Sequence, residues 1–318
     1  MEEIDVVVAG TVFNDLVFSG VQIPKMGTEV FAQGFALAPG GAANRAVAAA
    51  RLGARSALVT RFGSDALSTL TRHQLEQEPN LDLASSILIP NWQGPTSAAL
   101  ADGFDRAFVT YWDQQSNPEW KRDQPVKVLH IGLSQDLPQW AQDLRKRGTL
   151  LVGGVGWDPS QEWSSALLDR LKGVDIVILN ETEALNYTSC QDLETALDCL
   201  TQVVDQAVIT LGSQGLVASC AGERFRLPAL AVQAVDPTGA GDVFTAGYMA
   251  ATAWGWSFEN RLQLASAAAA CSVTHLGGAS AAPGQQAIGQ LLLEQARRGR
   301  IALPDWEFLA QWSGIDSL

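Results

Sequence analysis

Metal-binding side chains are few in this 318-residue chain: three histidines and four cysteines. His73, His130 and His275 show no HExxH spacing, and Cys190, Cys199, Cys220 and Cys271 show no CxxC pair, which argues against a zinc site or a redox motif. Free cysteines of this kind usually serve as small buried side chains. Basic charge is also scarce. Twenty-one Lys and Arg stand against 34 Asp and Glu, a formal charge of −13, with no basic cluster. Nucleic acid and anionic membrane surfaces both need a basic footprint, so neither is expected as a partner. Any phosphate must be held by local groups against the overall field. No apolar run reaches the ~18 residues of a membrane span. The start, Met1-Glu2-Glu3-Ile4-Asp5, is acidic and does not resemble a signal peptide. The expectation is a soluble, cytoplasmic protein. No GxxxxGK[ST] loop is present, and neither 154–156 nor 10–15 completes a GxGxxG fingerprint, so P-loop and dehydrogenase readings are disfavoured.

What is present is globular. Hydrophobic residues make up 47% and charged residues 17%, outside the low-hydrophobicity, high-charge regime of disordered chains. Short β-branched runs alternate with longer helical stretches. Residues 4–12, 56–62, 127–133, 149–155, 174–179 and 207–211 read as buried strands of a parallel sheet. Residues 42–52, 65–77, 138–146, 160–171 and 193–204 read as helices, the first stopped by Gly53. The expected fold is a doubly wound α/β sandwich with a mostly parallel central sheet. Two segments break the alternation: an isolated strand over 29–37, and a hairpin of 97–101 and 106–112 around the 102–105 turn. With no helices to cover them, they predict a small β-sheet lid, with segments at about 14–38 and 96–113 of one domain spanning 1–318. The tail predicts helices over 240–254, 258–275, 285–298 and 305–312.

Two motifs carry chemistry. Asp236-Pro237-Thr238-Gly239-Ala240-Gly241-Asp242 follows an apolar stretch and opens a helix. The small residues let the amides of Gly239, Ala240 and Gly241 converge as an anion hole at a helix N-terminus. Asp242 falls in the first turn, where the helix dipole favours a carboxylate's charged form. Such a group suits phosphoryl transfer, in which the nucleophile's proton can leave late. The second motif is Pro39-Gly40-Gly41-Ala42-Ala43-Asn44. Its paired glycines allow close approach to the backbone, and Asn44 offers a donor and an acceptor to a hydroxyl-rich ligand. Taken singly, each motif is also compatible with an ordinary helix start.

Together, in this order near the two ends of the chain, they resemble the signature regions of the ribokinase/phosphofructokinase-B (PfkB) family of carbohydrate kinases. Three features between them fit: Asp15 after the first strand, Asn180-Glu181-Thr182-Glu183 at a strand end, and Thr210-Leu211-Gly212-Ser213-Gln214-Gly215. The resemblance implies a ribokinase-like three-layer sandwich and ATP-dependent phosphorylation of a sugar. Asp242 would accept the hydroxyl proton, and the Gly239, Ala240 and Gly241 amides would hold the γ-phosphoryl. Asp15, Gly41 and Asn44 would hold the sugar. Thr210, Gly212 and Gly215, with Asn180, would line the nucleotide site, and Glu183 with Asn180 would position hydrated Mg²⁺. Asp236, Thr238, Thr274 and Gly277 match positions of a monovalent-cation (K⁺) site.

Departures blur the subfamily. The glycine pair lacks the Lys that ribokinases proper carry before the Asn, Pro237 replaces a common hydroxyl residue, and Phe13 stands where a sugar-binding Asn is found. Trp157-Asp158-Pro159 resembles a fructokinase segment, with Ser160 in place of its Asn. A nucleoside kinase is the alternative enzyme, since Phe13, Trp112 and Trp157 could wall a base. A non-catalytic sugar sensor on the same fold is the alternative outside enzymes. Apolar lid residues such as Phe31, Phe35, Val109 and Trp112 also predict a homodimer through the lid.

Overall fold

The structure is a computed structural model that describes residues 3–101, 106–113, 118–155, 162–275 and 277–315. The 102–105 turn and the 157–160 segment singled out above lie outside these residues.

Nine strands form the central sheet. In spatial order it runs β15 (Glu223–Leu227), β14 (Leu216–Cys220), β13 (Gln206–Thr210), β12 (Ile176–Asn180), β11 (Leu150–Gly154), β10 (Val126–Gly132), β1 (Ile4–Ala9), β4 (Ser56–Val59) and β6 (Leu81–Asp82). All pairings from β13 to β6 are parallel, while β13–β14 and β14–β15 are antiparallel. The continuous apolar runs are explained by burial on both faces. Val6, Val8, Val128, Val152 and Ile176 point into one core, which is covered by helices α1 (Ala42–Arg51), α7 (Ala240–Ala253), α8 (Phe258–Ser272), α9 (Gln285–Arg297) and α10 (Glu307–Trp312). Their neighbours Val7, Leu129, Leu151 and Val177 point into the other, covered by α3 (Gln139–Lys146), α4 (Ala166–Leu171), α5 (Glu181–Thr188) and α6 (Leu193–Thr201). Helix α2 (Ala66–Glu76) starts at an Asp65 cap whose Oδ1 accepts from the Leu67 and Ser68 amides. The three-layer sandwich is as expected.

A second sheet stands apart, in the order β3 (Gly34–Gly41), β2 (Val12–Ser19), β8 (Thr96–Ala101) and β9 (Arg106–Tyr111), and a short pair joins β5 (Arg61–Gly63) to β7 (Ile87–Ile89). Three expectations change here. The first strand ends at Ala9 rather than residue 12, and Val12–Ser19 crosses into the small sheet. The crossing is at Gly10, where a Cβ would lie 2.9 Å from the Cβ of Ala42, so α1 can approach only a bare backbone. The strand expected over 29–37 lies instead at Gly34–Gly41, because Gly40 and Gly41 pair with Phe13 and Val12 rather than forming a loop. The β14–β15 hairpin was not anticipated. Its two-residue turn, Ala221-Gly222, has φ of 51° and 84°, the conformation of a type I′ turn without the usual Asn-Gly signature.

Candidate active site

The site gathers at the carboxyl ends of the parallel strands, beneath the small sheet, where open α/β sheets bind ligands. Strand alternation puts Phe13 and Asp15 on one face of β2 and Asn14 on the other. Asn14 is buried there, its Nδ2 donating to Ser68 Oγ at 3.1 Å. Asp15 is opposite Ala38 in the ladder, and its carboxylate fills the space a side chain at Gly40 would need: a Cβ there would lie 1.9 Å from Asp15 Oδ2. At Gly41, with φ of 62°, a Cβ would meet the Thr11 carbonyl at 2.5 Å and the Phe13 ring at 2.8 Å. The paired glycines therefore make room for the protein's own groups, which is narrower than the ligand approach expected from sequence. Gly41 also caps α1.

One turn into α1, Asn44 is buried, and its Nδ2 donates to Asp242 Oδ2 at 2.8 Å. Arg45 pairs with the other oxygen, Nη2 to Oδ1, at 2.7 Å. Among the described residues the Asn44 Oδ1 atom is buried without a hydrogen-bond partner, close to Gly278. Burial pushes the Asp15 carboxyl up to about 7, and the negative charge of Asp242 adds to the rise. Asp15, Asn44 and Asp242, which are far apart in sequence, thus share one electrostatic neighbourhood.

Helix α7 begins at Gly239 in the left-handed region, φ 75°, where a Cβ would lie 3.1 Å from the Gly278 Cα. Gly241 differs: outside its own helix turn, no atom of the described residues lies within 4 Å of a Cβ placed there. Of the expected trio of amides, that of Ala240 donates to Pro237 O at 3.2 Å. Gly239 and Gly241 keep amides at the positive end of the helix dipole. Asp236 ties this segment down, its carboxylate accepting from the Thr238 amide at 2.8 Å and the Gly277 amide at 3.0 Å. The Asp236 amide itself donates to Val273 O, so Asp236, Thr238, Thr274 and Gly277 belong to two adjoining loops. The Thr274 hydroxyl donates to Cys271 O.

Asn180, Glu183, Thr210 and Gly212 line one cavity of about 420 Å³, together with Trp163, Glu181, Thr182 and Leu211. Asn180 and Glu183 also have a structural tie. Asn180 Oδ1 accepts from the Glu183 amide and Glu183 Oε2 from the Asn180 amide, a reciprocal capping box that starts α5. Burial raises the Glu183 carboxyl to about 7 against the lowering effects of that amide and of Arg45. Gly215 is not in the lining. Its φ of 95° and a Cβ position 2.0 Å from the Leu227 carbonyl give it a turn role at the start of β14. Among the described residues no three His, Cys, Asp or Glu gather to hold a metal, so a divalent ion would have to be shared with phosphate and water. A carboxylate and an amide lining an open cavity fit a hydrated Mg²⁺ on those terms. A more voluminous cavity of about 810 Å³ opens between α3 and α4, but Arg145, Lys146, Arg170 and Lys172 on its wall are each paired with a carboxylate.

The family model described as "pfkB family carbohydrate kinase" matches residues 3–284. The chain belongs to that family. Its relatives include a ribokinase of Haemophilus influenzae, 31% identical over 297 residues, with 88% of this chain and 95% of the relative covered. A nucleoside kinase of Methanothermobacter thermautotrophicus is 28% identical over 247 residues, covering 75% of this chain and 79% of the relative. The fold is also that of Arabidopsis thaliana ribokinase solved with ribose and ATP, at TM-score 0.76 and 24% identity over 91% of this chain and 99% of that one. The chain is therefore a kinase of the sugar or nucleoside class.

For a PfkB kinase, one residue at the centre of this site had escaped the sequence reading. Arg45 adjoins the motif that ends at Asn44, but an Arg on a helix reads as a solvated side chain. Its one sequence signal is helical phase: position 45 lies in the same first turns of α1 as Asn44. His130, near the end of β10, was seen only as a residue without a metal motif. It is buried with Nδ1 unpartnered, and burial together with the Arg45 charge keeps it well below its ordinary pKa and therefore neutral.

Proposed function

We propose that this chain transfers the γ-phosphoryl group of ATP to a primary hydroxyl of a sugar or sugar derivative. The observation that carries the reading is the convergence of Asp15 and Asn44 on Asp242. Once ionised, Asp15 accepts hydrogen bonds from two adjacent hydroxyls, while Asn44 steadies Asp242 through Nδ2. A hydroxyl projecting from the ring then reaches Asp242. Its O–H proton passes to the Asp242 carboxylate as the new O–P bond forms and the bond to the β-phosphate oxygen breaks, releasing ADP. Charge developing on the transferring group faces the Gly239 and Gly241 amides, and the empty space above Gly241 suits an oxyanion. Mg²⁺, when bound beside Asn180 and Glu183, would neutralise phosphate charge. Thr210 and Gly212 line the nucleotide end. A monovalent cation between Asp236, Thr238, Thr274 and Gly277 belongs to the same reading, checked by exchanging K⁺ for a large organic cation at fixed ionic strength.

The small sheet acts as a lid that excludes water from the transfer. Phe31, Phe35, Val109 and Trp112 expose large apolar surface. A second copy's lid is the proposed cover, and light scattering at micromolar concentration tests it, a monomer counting against it.

A nucleoside acceptor is the second reading, favoured by one observation. Phe13 and Trp112 meet edge to face, centroids 5.9 Å apart, on the small sheet next to Asp15, a surface on which a base could stack. A coupled assay for ADP release over a panel of ketoses, aldoses, sugar acids and nucleosides decides. Turnover with sugars supports the first reading, and turnover with nucleosides alone overturns it.

A further inference from the structure

Arg45 is the cation of the site that the reading above leaves without a task. Its Nη2 is bound to Asp242 Oδ1, whereas its Nε is buried with no hydrogen-bond partner. A buried guanidinium N–H left unpaired costs stability, and retaining one beside a reacting carboxylate calls for a ligand acceptor. The surroundings define what that acceptor can be. Asp242 lies on one side of Arg45. Glu183, at the phosphate end of the cavity, is near enough for the Arg45 charge to act on it, and so is His130, which is neutral. Asn44, the preceding residue, holds the other Asp242 oxygen. Arg45 is thus bound to the group proposed to receive the proton, beside which the transferring phosphoryl must lie. The acceptor it can take there is an anionic oxygen, since the Nε and Nη donors of one guanidinium are arranged in a planar fork suited to oxyanions.

We propose that Arg45 bridges the two reactants: Nη2 orients Asp242, and Nε–H donates to an oxygen of the phosphoryl group in transfer. No bond to Arg45 forms or breaks. The guanidinium stays protonated throughout, and its contribution is to place the carboxylate and to offset charge as the terminal phosphoryl leaves ADP. The inference rests on the kinase reading but adds a specific contact to the terminal phosphoryl that ADP lacks.

The test is a comparison of two nucleotides. Binding of Mg²⁺ with a non-hydrolysable ATP analogue, and of Mg²⁺ with ADP, is titrated into the wild-type protein, Arg45→Ala, Arg45→Gln and Arg45→Lys, each checked for a native circular dichroism spectrum. In wild type the ATP analogue should be preferred. In Arg45→Ala and Arg45→Gln that preference should shrink about tenfold or more, with ADP affinity changed less than about twofold, as expected for loss of one charge-assisted bond to the terminal group. Arg45→Lys should recover part of the preference. Turnover should fall about 100-fold in Arg45→Ala with the acceptor KM within about threefold, and added guanidinium ion should restore part of it. A variant that keeps the wild-type preference for the ATP analogue overturns the proposal. If the loss instead appears only with acidic acceptors, the oxyanion belongs to the acceptor and the proposal is also overturned. If wild type binds neither nucleotide, the kinase reading fails first and this inference falls with it.

Discussion

The two ends of the site are built on different principles. At the proposed acceptor end the chain's own atoms fill the gaps its glycines leave: the Asp15 carboxylate occupies the space above Gly40, the Thr11 carbonyl and the Phe13 ring occupy that above Gly41, and Asn44 and Arg45 hold both oxygens of Asp242. At the proposed nucleotide end the side chains stand around an open cavity of about 420 Å³, and among the described residues no packing neighbour lies within 4 Å of a Cβ placed at Gly241 or Gly212. The difference teaches where each ligand's contribution enters. The acceptor meets groups already positioned, so its recognition resides in fixed geometry. In the proposed reading the nucleotide, with its metal, would bring the charge that completes the open end.

The largest effect should come from the residue shared by both ends. Asp242→Asn keeps the shape and the Asn44 neighbour but cannot take a proton. Turnover should fall roughly 10²–10⁴-fold with ATP binding retained, as a steady-state assay beside a nucleotide titration would show. A variant keeping more than about a tenth of wild-type turnover removes Asp242 from the chemistry.

Next in size is a pair of glycine substitutions that sets packing against ligand. Gly40→Ala would drive a methyl into the Asp15 carboxylate, so it should lower both melting temperature and acceptor use. Gly241→Ala meets no atom of the described residues within 4 Å outside its own helix turn, so it should melt within about 2 °C of wild type. Its methyl would still enter the space assigned to the phosphoryl group, and turnover should drop at least tenfold. Equal loss of stability in both variants would erase the contrast between the two ends.

Asp15 sharpens the comparison through pH. Its carboxyl is raised to about 7, so ionising it opposes folding. The opposition is absent below the unfolded value of about 3.9, grows as pH rises, and is complete above about pH 7. Asp15→Asn should therefore melt about 2–5 °C above wild type at pH 8, with a smaller gain at pH 5. The same substitution should cut kcat/KM for the acceptor about 10–100-fold with little change for ATP. In wild type, kcat/KM for the acceptor should rise with pH to a plateau above about 7, the range in which both Asp15 and Glu183 ionise. The smallest effect should be at the open end: Glu183→Gln should raise the Mg²⁺ concentration needed for half-maximal rate several-fold. Full activity in EDTA would contradict the metal's place there.

The parts of this architecture that depend on local pattern were readable without coordinates. Residues 174–179 read as a buried strand, and β12 forms there at Ile176–Asn180, while Gly53 stands just past the end of α1. What could not be read depends on neighbours distant in sequence. The strand over Gly34–Gly41 shifts because a glycine pair that looks like a turn is held in a ladder against Phe13 and Val12. The Ala240 amide looked available until Pro237 O was found to accept from it. The site shows the same division. Asp15, Asn44, Asn180, Glu183 and Asp242 stand out by motif, whereas Arg45 gains meaning only when α7 brings Asp242 against α1.

The most direct test of a pre-formed acceptor end is ligand-induced stabilisation of nucleotide-free protein at pH 8, measured by thermal unfolding over the panel of sugars and nucleosides. A ligand at a hundred times its dissociation constant adds about 2.7 kcal/mol. With a pre-formed acceptor end, at least one sugar should raise the melting temperature of wild type without ATP, Asp15→Ala should abolish the shift, and nucleosides should give none. A nucleoside shift with no sugar shift, or a sugar shift that survives in Asp15→Ala, would contradict it.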